Sequence, residues 1–229
     1  MGMKIILDFD DVIFNTRKFN SDYRRAFCAQ GIPEDVFDEC YHQPSIRGRS
    51  GKKPYDPQKH LGEIKLRLPI DEKSVRRAID AFLRGADKYL FSDAVNFFKK
   101  FNKKDLYIVS YGMKGYQDIK IKHARVQKYF KKVIILDGFK SEGVKEIVGA
   151  DKIKKDEKFF FMDDRAEWVE DVKKRYPRVI TFLVKRREGR YNDKKNRHCD
   201  FEVKNLKEAA KLIEKLEKSN KSEEGLCAE

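Results

Sequence analysis

Cysteine, histidine and tryptophan are scarce: four Cys, four His and one Trp in 229 residues. The cysteines, at 28, 40, 199 and 227, form no C-x-x-C pair, and although His198 adjoins Cys199 the other histidines complete no zinc spacing. That excludes a zinc finger or ribbon and a disulfide scaffold, and it predicts reduced thiols. Long apolar runs are missing too. The first ends at Asp8, too short for a signal peptide, and none approaches the ~20 residues that span a bilayer. Ile6 occupies the place where N-myristoylation needs Ser or Thr, and Cys227 stands one position too late for prenylation. A soluble, cytoplasmic protein without a membrane partner is expected.

Acidic residues are the minority charge. Lys and Arg number 52 against 38 Asp and Glu, a net charge of +14. The excess favours anionic partners, whether phosphorylated metabolites, nucleotides or nucleic acid, without choosing among them. Hydrophobic residues at 40% and aromatics at 12% are enough to fill a core despite the charge. The length suits one large domain, or a core with a smaller inserted domain.

What is present is concentrated first at residues 3–16. Met3-Lys4-Ile5-Ile6-Leu7 reads as a buried strand and runs directly into Asp8-Phe9-Asp10-Asp11-Val12-Ile13-Phe14-Asn15-Thr16. Strands of parallel sheets present their chemistry at their C-terminal ends. Three carboxylates within four residues repel one another unless a cation lies between them. The Asp-x-Asp spacing puts Asp8 and Asp10 on one side of the backbone, so that one can attack while the other moves a proton. A solvated acidic turn is the alternative reading of those two residues alone.

Four more strands are predicted, at Leu106–Ser110, Val133–Leu136, Phe159–Met162 and Val179–Val184, with amphipathic helices near 92–103, 113–128, 141–149 and 166–175 between them. This alternation predicts an α/β fold, a doubly wound parallel sheet with helices on both faces. The gap between the first and second strands is too long for a crossover and reads as helical over 17–90. Phe19, Tyr23 and Phe27 recur at four-residue steps. Asp56-Pro57 and Asp71 cap helices carrying Leu61, Ile64 and Leu68, and Val75, Ile79, Phe82 and Leu83. Inserted directly after Asp8 and Asp10, this segment is expected to cover the site as a small α-helical cap. The core then comprises 1–16 and 91–204, and 205–229 a last helix over 205–217 followed by a frayed tail.

Each core strand ends in a candidate functional group. Ser110 closes the second strand, where a hydroxyl and the free amides of a following helix can bind an anion, although Ser is also a common N-cap. Lys140 follows the third strand and can offset carboxylate charge, whereas Lys145 falls inside the next helix and is expected to face solvent. Asp163-Asp164 close the fourth strand with hard oxygen ligands suited to Mg²⁺, or with an N-cap pair.

The order Asp8-x-Asp10, Ser110, Lys140, Asp163-Asp164 resembles the haloacid dehalogenase-like (HAD) superfamily, over residues 1–16 and about 91–204. The resemblance implies a Rossmann-like core with a cap. It also implies an aspartyl-phosphate on Asp8, with Asp10 as acid and then base. Ser110 and Lys140 would hold the transferring phosphoryl group, and Mg²⁺ would sit among Asp8, the backbone carbonyl of Asp10, Asp163 and Asp164. Val12 stands where the family often has Thr, and Asp11 where it often has Gly. Carbon–halogen cleavage needs neither a metal nor an acid for the leaving halide, so Asp10 and the Asp163-Asp164 pair favour a phosphatase acting on a small phosphomonoester.

A phosphotransferase and a nucleic-acid-binding protein on the same core are the competing readings, the latter resting on Lys185–Arg197. Nucleic acid is the less favoured partner, and a solvated basic loop is the plainer account of that segment. The Gly- and Pro-rich segment 43–54 carries Arg47, Arg49, Lys52 and Lys53 and no acid. It is expected either to close on the non-reacting part of a substrate or to be an exposed linker. Substrate identity and oligomeric state leave no trace in the chain.

Overall fold

β1 (Met3–Leu7) lies near the centre of a six-stranded sheet ordered β3-β2-β1-β4-β5-β6, with β2 (Leu106–Tyr111), β3 (Lys132–Leu136), β4 (Lys158–Asp163), β5 (Ile180–Val184) and β6 (Phe201–Val203). Every pairing is parallel. The computed structural model describes residues 2–41, 49–149 and 157–226, the side chains of 219–226 excepted. The order reverses between β1 and β4, and ligands of such sheets bind at the strands' carboxyl ends beside that reversal.

The sheet separates two apolar layers, as period-two alternation requires. Ile5, Leu7, Ile108, Phe160, Met162 and Phe182 face one way, while Ile6, Tyr107, Val109, Phe159, Phe161 and Leu183 face the other. α7 (Lys140–Val148) and α8 (Ala166–Arg175) cover the second layer through Val144, Val169 and Val172. The first layer is covered by α5 (Ala94–Lys100), α6 (Lys114–His123) and α9 (Leu206–Leu226). The Rossmann-like α/β fold expected from the alternation is the one observed.

Between β1 and β2 lie α1 (Thr16–Cys28), α2 (Glu34–Tyr41), α3 (Pro57–Arg67) and α4 (Glu72–Arg84). Local chemistry explains their starts. Asn15 accepts from the Lys18 amide, Asp56 from Gln58 and Lys59, and Asp71 from Lys73 and Ser74, each satisfying amides that have no partner within the helix. Phe19, Tyr23 and Phe27 of α1 join Phe14, Phe37, Phe82 and Tyr89 in a continuous aromatic cluster that merges with the first apolar layer.

Two expectations need correction. The sheet has a sixth strand that the pattern did not reveal. Phe201-Glu202-Val203 is too short to show alternation, and it pairs because β5 otherwise presents an open edge. The last helix runs to Leu226 rather than ending at 217, since no proline or glycine interrupts the chain before Gly225. Among the described residues no helix is long and apolar enough to cross a membrane.

Candidate active site

β1 and β4 end side by side, Leu7 opposite Met162, so that Asp8 and the Asp163-Asp164 pair emerge together. One carboxylate oxygen from each of Asp8, Asp163 and Asp164 lies within 4.8 Å of the other two, and all three residues are buried. Lys140, at the start of α7, is the ammonium among them. Its Nζ lies 2.6 Å from Asp8 Oδ1 and 3.2 Å from Asp163 Oδ2, and it donates to the Val109 carbonyl at 2.8 Å. Gly143 brings α7 close enough for that reach. A Cβ there would stand 2.5 Å from Val109 Cγ1 and 2.9 Å from Leu136 Cδ2.

That one ammonium pairs with Asp8 and Asp163, while Asp164 makes no ion pair among the described residues, and the proton affinities of the three record the deficit. Burial raises the pKa of Asp8, with Lys140 offsetting part of the rise. Asp163 is pushed up to about 7 by burial, with Lys140 pulling down and Asp8 pushing up. Asp164 is raised by burial and by the neighbouring charges of Asp163, Asp8 and Asp11. Its Oδ2 is buried and meets no hydrogen-bond donor among the described residues. Lys140 moves the other way: burial opposes its charge, but Asp163 and Asp8 outweigh that and raise its pKa. A buried set of hard oxygen donors short of positive charge fits a hard divalent cation such as Mg²⁺.

Asp10 sits in a different environment. Its carboxylate accepts from Thr16 Oγ1 at 2.6 Å, from Lys120 Nζ at 2.6 Å and from Gln117 Nε2 at 2.7 Å. Burial alone would raise its pKa, but Lys120 and then Arg190 overcome this and hold it well below the usual carboxylate range. Lys120 is itself buried, its Nζ 5.3–5.8 Å from the ring centroids of Phe9, Phe14, Phe19 and Tyr116. Gln117 also donates to Ser110 Oγ at 2.9 Å, which ties the end of β2 to Asp10 and leaves the Ser110 hydroxyl hydrogen for another acceptor. The Asp10 side chain is not part of the metal-ligand cluster.

The turn after β1 is held from outside. Asp11 adopts φ +56°, which Asp tolerates better than most residues, and its buried carboxylate accepts from Arg190 Nε at 2.5 Å. Arg186 donates twice to the Val12 carbonyl, at 3.1 and 2.8 Å, and pairs with Asp93. The basic segment after β5 thus reaches the active edge, and two of its arginines clamp the first motif.

Helices of the insert and the carboxyl edge of the sheet enclose a cavity of about 590 Å³. Asp8, Asp10 and Asp164 lie on its wall with Tyr23, Tyr41 and Tyr55 of the insert. Lys52 and Lys53 line it as well, and Lys52 pairs with Glu167 over the Trp168 ring. Arg49 instead pairs with Asp137 and Glu142, away from the cavity. Arg47 lies outside the described residues, as does the rest of 42–48. Lys145 is exposed, as expected.

All six residues singled out from the sequence, Asp8, Asp10, Ser110, Lys140, Asp163 and Asp164, converge on this edge. Four others had been missed: Thr16, Gln117, Lys120 and Arg190. Gln117 and Lys120 carried a legible signal, for they interrupt the apolar face that Met113, Tyr116 and Ile121 begin and end. Arg190 carried none, being one cation in a basic run.

No family model matches the chain, and no curated protein matches it by sequence. Solved structures do match. A protein from Burkholderia xenovorans LB400 described as a haloacid dehalogenase-like hydrolase aligns with TM-score 0.70 at 17% identity, over 91% of this chain and 97% of that one. A HAD-hydrolase, YfnB, from Bacillus subtilis, solved bound to magnesium, aligns with TM-score 0.60 at 13% identity, over 93% and 98%. L-2-haloacid dehalogenase from Xanthobacter autotrophicus aligns with TM-score 0.59 at 16% identity, over 93% and 99%. The chain therefore has the fold of the HAD-like hydrolases.

Proposed function

We propose that this protein is a Mg²⁺-dependent phosphomonoesterase of the HAD superfamily, working through an aspartyl-phosphate on Asp8. The observation that carries the reading is the buried, cation-deficient cluster of Asp8, Asp163 and Asp164 beside an Asp10 that accepts from three side chains. Dehalogenation, the activity in the names of several structural neighbours, gives no use to either feature. It requires neither a site for a divalent cation nor an acid to protonate a halide.

Asp8, Asp163 and Asp164 would hold the ion. Bound there, Mg²⁺ supplies positive charge that neutralises the phosphoryl oxygens and the attacking carboxylate. The remaining work belongs to the chain's own residues. A carboxylate oxygen of Asp8 attacks phosphorus, the bond from phosphorus to the ester oxygen breaks, and the electron pair leaves with that oxygen. Asp10 supplies its proton, since an arriving phosphate dianion raises the carboxylate's proton affinity. In the second half Asp10 takes a proton from water as the water attacks phosphorus, releasing inorganic phosphate and restoring Asp8. The Lys120 ion pair stabilises the form of Asp10 that this second half needs. Ser110 offers its hydroxyl hydrogen to a phosphoryl oxygen.

Lys140 has a task besides holding the phosphoryl group. It donates to the Val109 carbonyl and lies in ion-pair contact with Asp8 and Asp163, so it keeps the nucleophile anionic.

The test is phosphate release from p-nitrophenyl phosphate with Mg²⁺ and with excess chelator, on the wild type and on Asp8→Asn. The wild type should turn over only with the metal, and the near-isosteric variant should show none above background while keeping its circular dichroism. Turnover that persists in chelator, or in Asp8→Asn, removes the reading.

A further inference from the structure

The reaction cavity has a neighbour. A second groove, of about 790 Å³, lies beyond Arg190 and Tyr191, and those two residues line both spaces. Seven cations border it against three acids. Lys185, Arg186 and Arg190 are paired, with Glu202, Asp93 and Asp11. Arg17, Arg187, Lys204 and Lys207 are exposed and make no ion pair among the described residues. Four uncompensated like charges around one concavity repel one another, and an anion laid between them relieves that repulsion.

The junction is shaped for more than a small anion. Tyr191 is one of few large hydrophobic side chains left exposed, at 39%, and guanidinium groups lie against its ring, Arg165 at 4.0 Å and Arg190 at 5.1 Å from the centroid. An exposed aromatic ring among guanidinium groups is a platform on which a planar base stacks. A basic groove with such a platform, bordering the reaction cavity at Arg190 and Tyr191, matches successive phosphates and bases.

Building on the phosphatase reading, we propose that the substrate is the phosphorylated end of a single-stranded oligonucleotide, its terminal phosphate at Asp8 and its following nucleotides in the Arg187–Lys204–Lys207 groove. The bond broken is that between the terminal phosphorus and the sugar oxygen, and water supplies the new oxygen on phosphate.

The experiment uses oligodeoxythymidylates of one, four and eight nucleotides, phosphorylated at the 5′ or at the 3′ end, beside p-nitrophenyl phosphate. For one of the two ends kcat/KM should rise ~10-fold or more from one nucleotide to four. The triple charge reversal Arg187→Glu, Lys204→Glu, Lys207→Glu should abolish that rise. None of the three lines the reaction cavity, so p-nitrophenyl phosphate hydrolysis should be unchanged. Binding of a labelled, unphosphorylated octamer, read by fluorescence anisotropy, should weaken about 50-fold between 50 and 200 mM salt, as four phosphate contacts at a slope of ~0.7 each require. The triple variant should lose most of that dependence. Length-independent kcat/KM at both ends overturns the proposal, as does octamer binding that ignores salt or the three reversals. The binding arm does not depend on catalysis, so failure to hydrolyse p-nitrophenyl phosphate counts against the phosphatase reading and not against the groove.

Discussion

Asp8 and Asp10 leave the same strand end two residues apart and occupy opposite electrostatic states. Asp8 shares one ammonium with Asp163, and burial raises its pKa against the pull of that cation. Asp10 accepts from Lys120, Thr16 and Gln117 and is held well below the ordinary range against the pull of burial. Burial is common to both. The number of donors per carboxylate separates them, and that number is set by which elements reach each side of β1: α7 alone on one, α6 and the start of α1 on the other. A cluster short of one cation is a place for an external ion. A carboxylate held by three donors is a group whose direction matters. Pairs of acids whose surroundings drive their pKa values apart commonly divide catalytic roles.

The largest effect should come from deepening the deficit's logic to its end. With Asp163→Ala and Asp164→Ala together, Mg²⁺ should no longer restore turnover after chelation. The metal-free wild type should also be destabilised by rising pH. Asp163, at about 7, keeps a proton in the folded state that the unfolded chain releases near its ordinary value. The contribution of Asp163 to folding stability is therefore fully present below the unfolded value and is lost as pH rises through about 7. Thermal unfolding in chelator should drop by roughly 5 °C between pH 5 and 7.5, Mg²⁺ should recover more at pH 7.5 than at pH 5, and the double variant should show neither trend. A metal-free wild type that gains stability over that range would contradict the cluster's charge state.

Lys120→Met probes the other side. Removing the ammonium leaves Asp10 with two neutral donors, and kcat should fall by ~10²-fold with a smaller change in KM, because a misdirected acid–base group costs turnover more than binding. Breaking a buried pair also destabilises by about 3 kcal/mol, which thermal unfolding will report. A purely structural lysine would not move the pH profile, so that profile is the discriminating readout. Loss of Lys120 raises the Asp10 pKa, and the acidic limb of kcat should shift to higher pH. Lys120→Arg should return part of the rate and most of the shift. An unshifted limb in Lys120→Met removes Lys120 from any positioning role.

The smallest expected effect belongs to Arg49. It was a candidate for holding the remote part of a substrate, but its guanidinium lies against Asp137 and Glu142 in solvent. Arg49→Ala should change stability by less than about 1 kcal/mol and leave KM for p-nitrophenyl phosphate within twofold. A rise in KM specific to a larger substrate would restore the segment's binding role.

How much of this was legible beforehand differs between the two sides of β1 as well. Strands with uninterrupted apolar cores, such as Ile5-Ile6-Leu7 and Phe159-Phe160-Phe161, announced themselves, and the acids and Ser110 at their ends marked the site because polar groups after buried strands need a reason. Lys140 was visible only through its place after a strand. The Asp10 side was harder, since its partners Gln117 and Lys120 come from one helix face and become neighbours of Asp10 only when the helix docks. Arg190 is brought in by a loop whose path no local rule encodes. β6 escaped because three residues cannot display a period. Charge and composition said that an anion would be the partner, but only the shared wall at Arg190 and Tyr191 placed a basic groove beside the reaction cavity.

The central claim, that Asp8 carries the phosphoryl group while Asp10 moves protons, is most directly tested on Asp10→Asn. That variant keeps the nucleophile and impairs activation of water, so a substrate with a good leaving group should load it and leave it loaded. Mixing it with p-nitrophenyl phosphate and Mg²⁺, quenching in acid within a second and sequencing the peptides by mass spectrometry should show a phosphoryl group on Asp8, lost on brief treatment with base and absent when chelator replaces Mg²⁺. An unmodified Asp8 in a sample that has released p-nitrophenol, or a phosphoryl group on any other residue, would contradict the account.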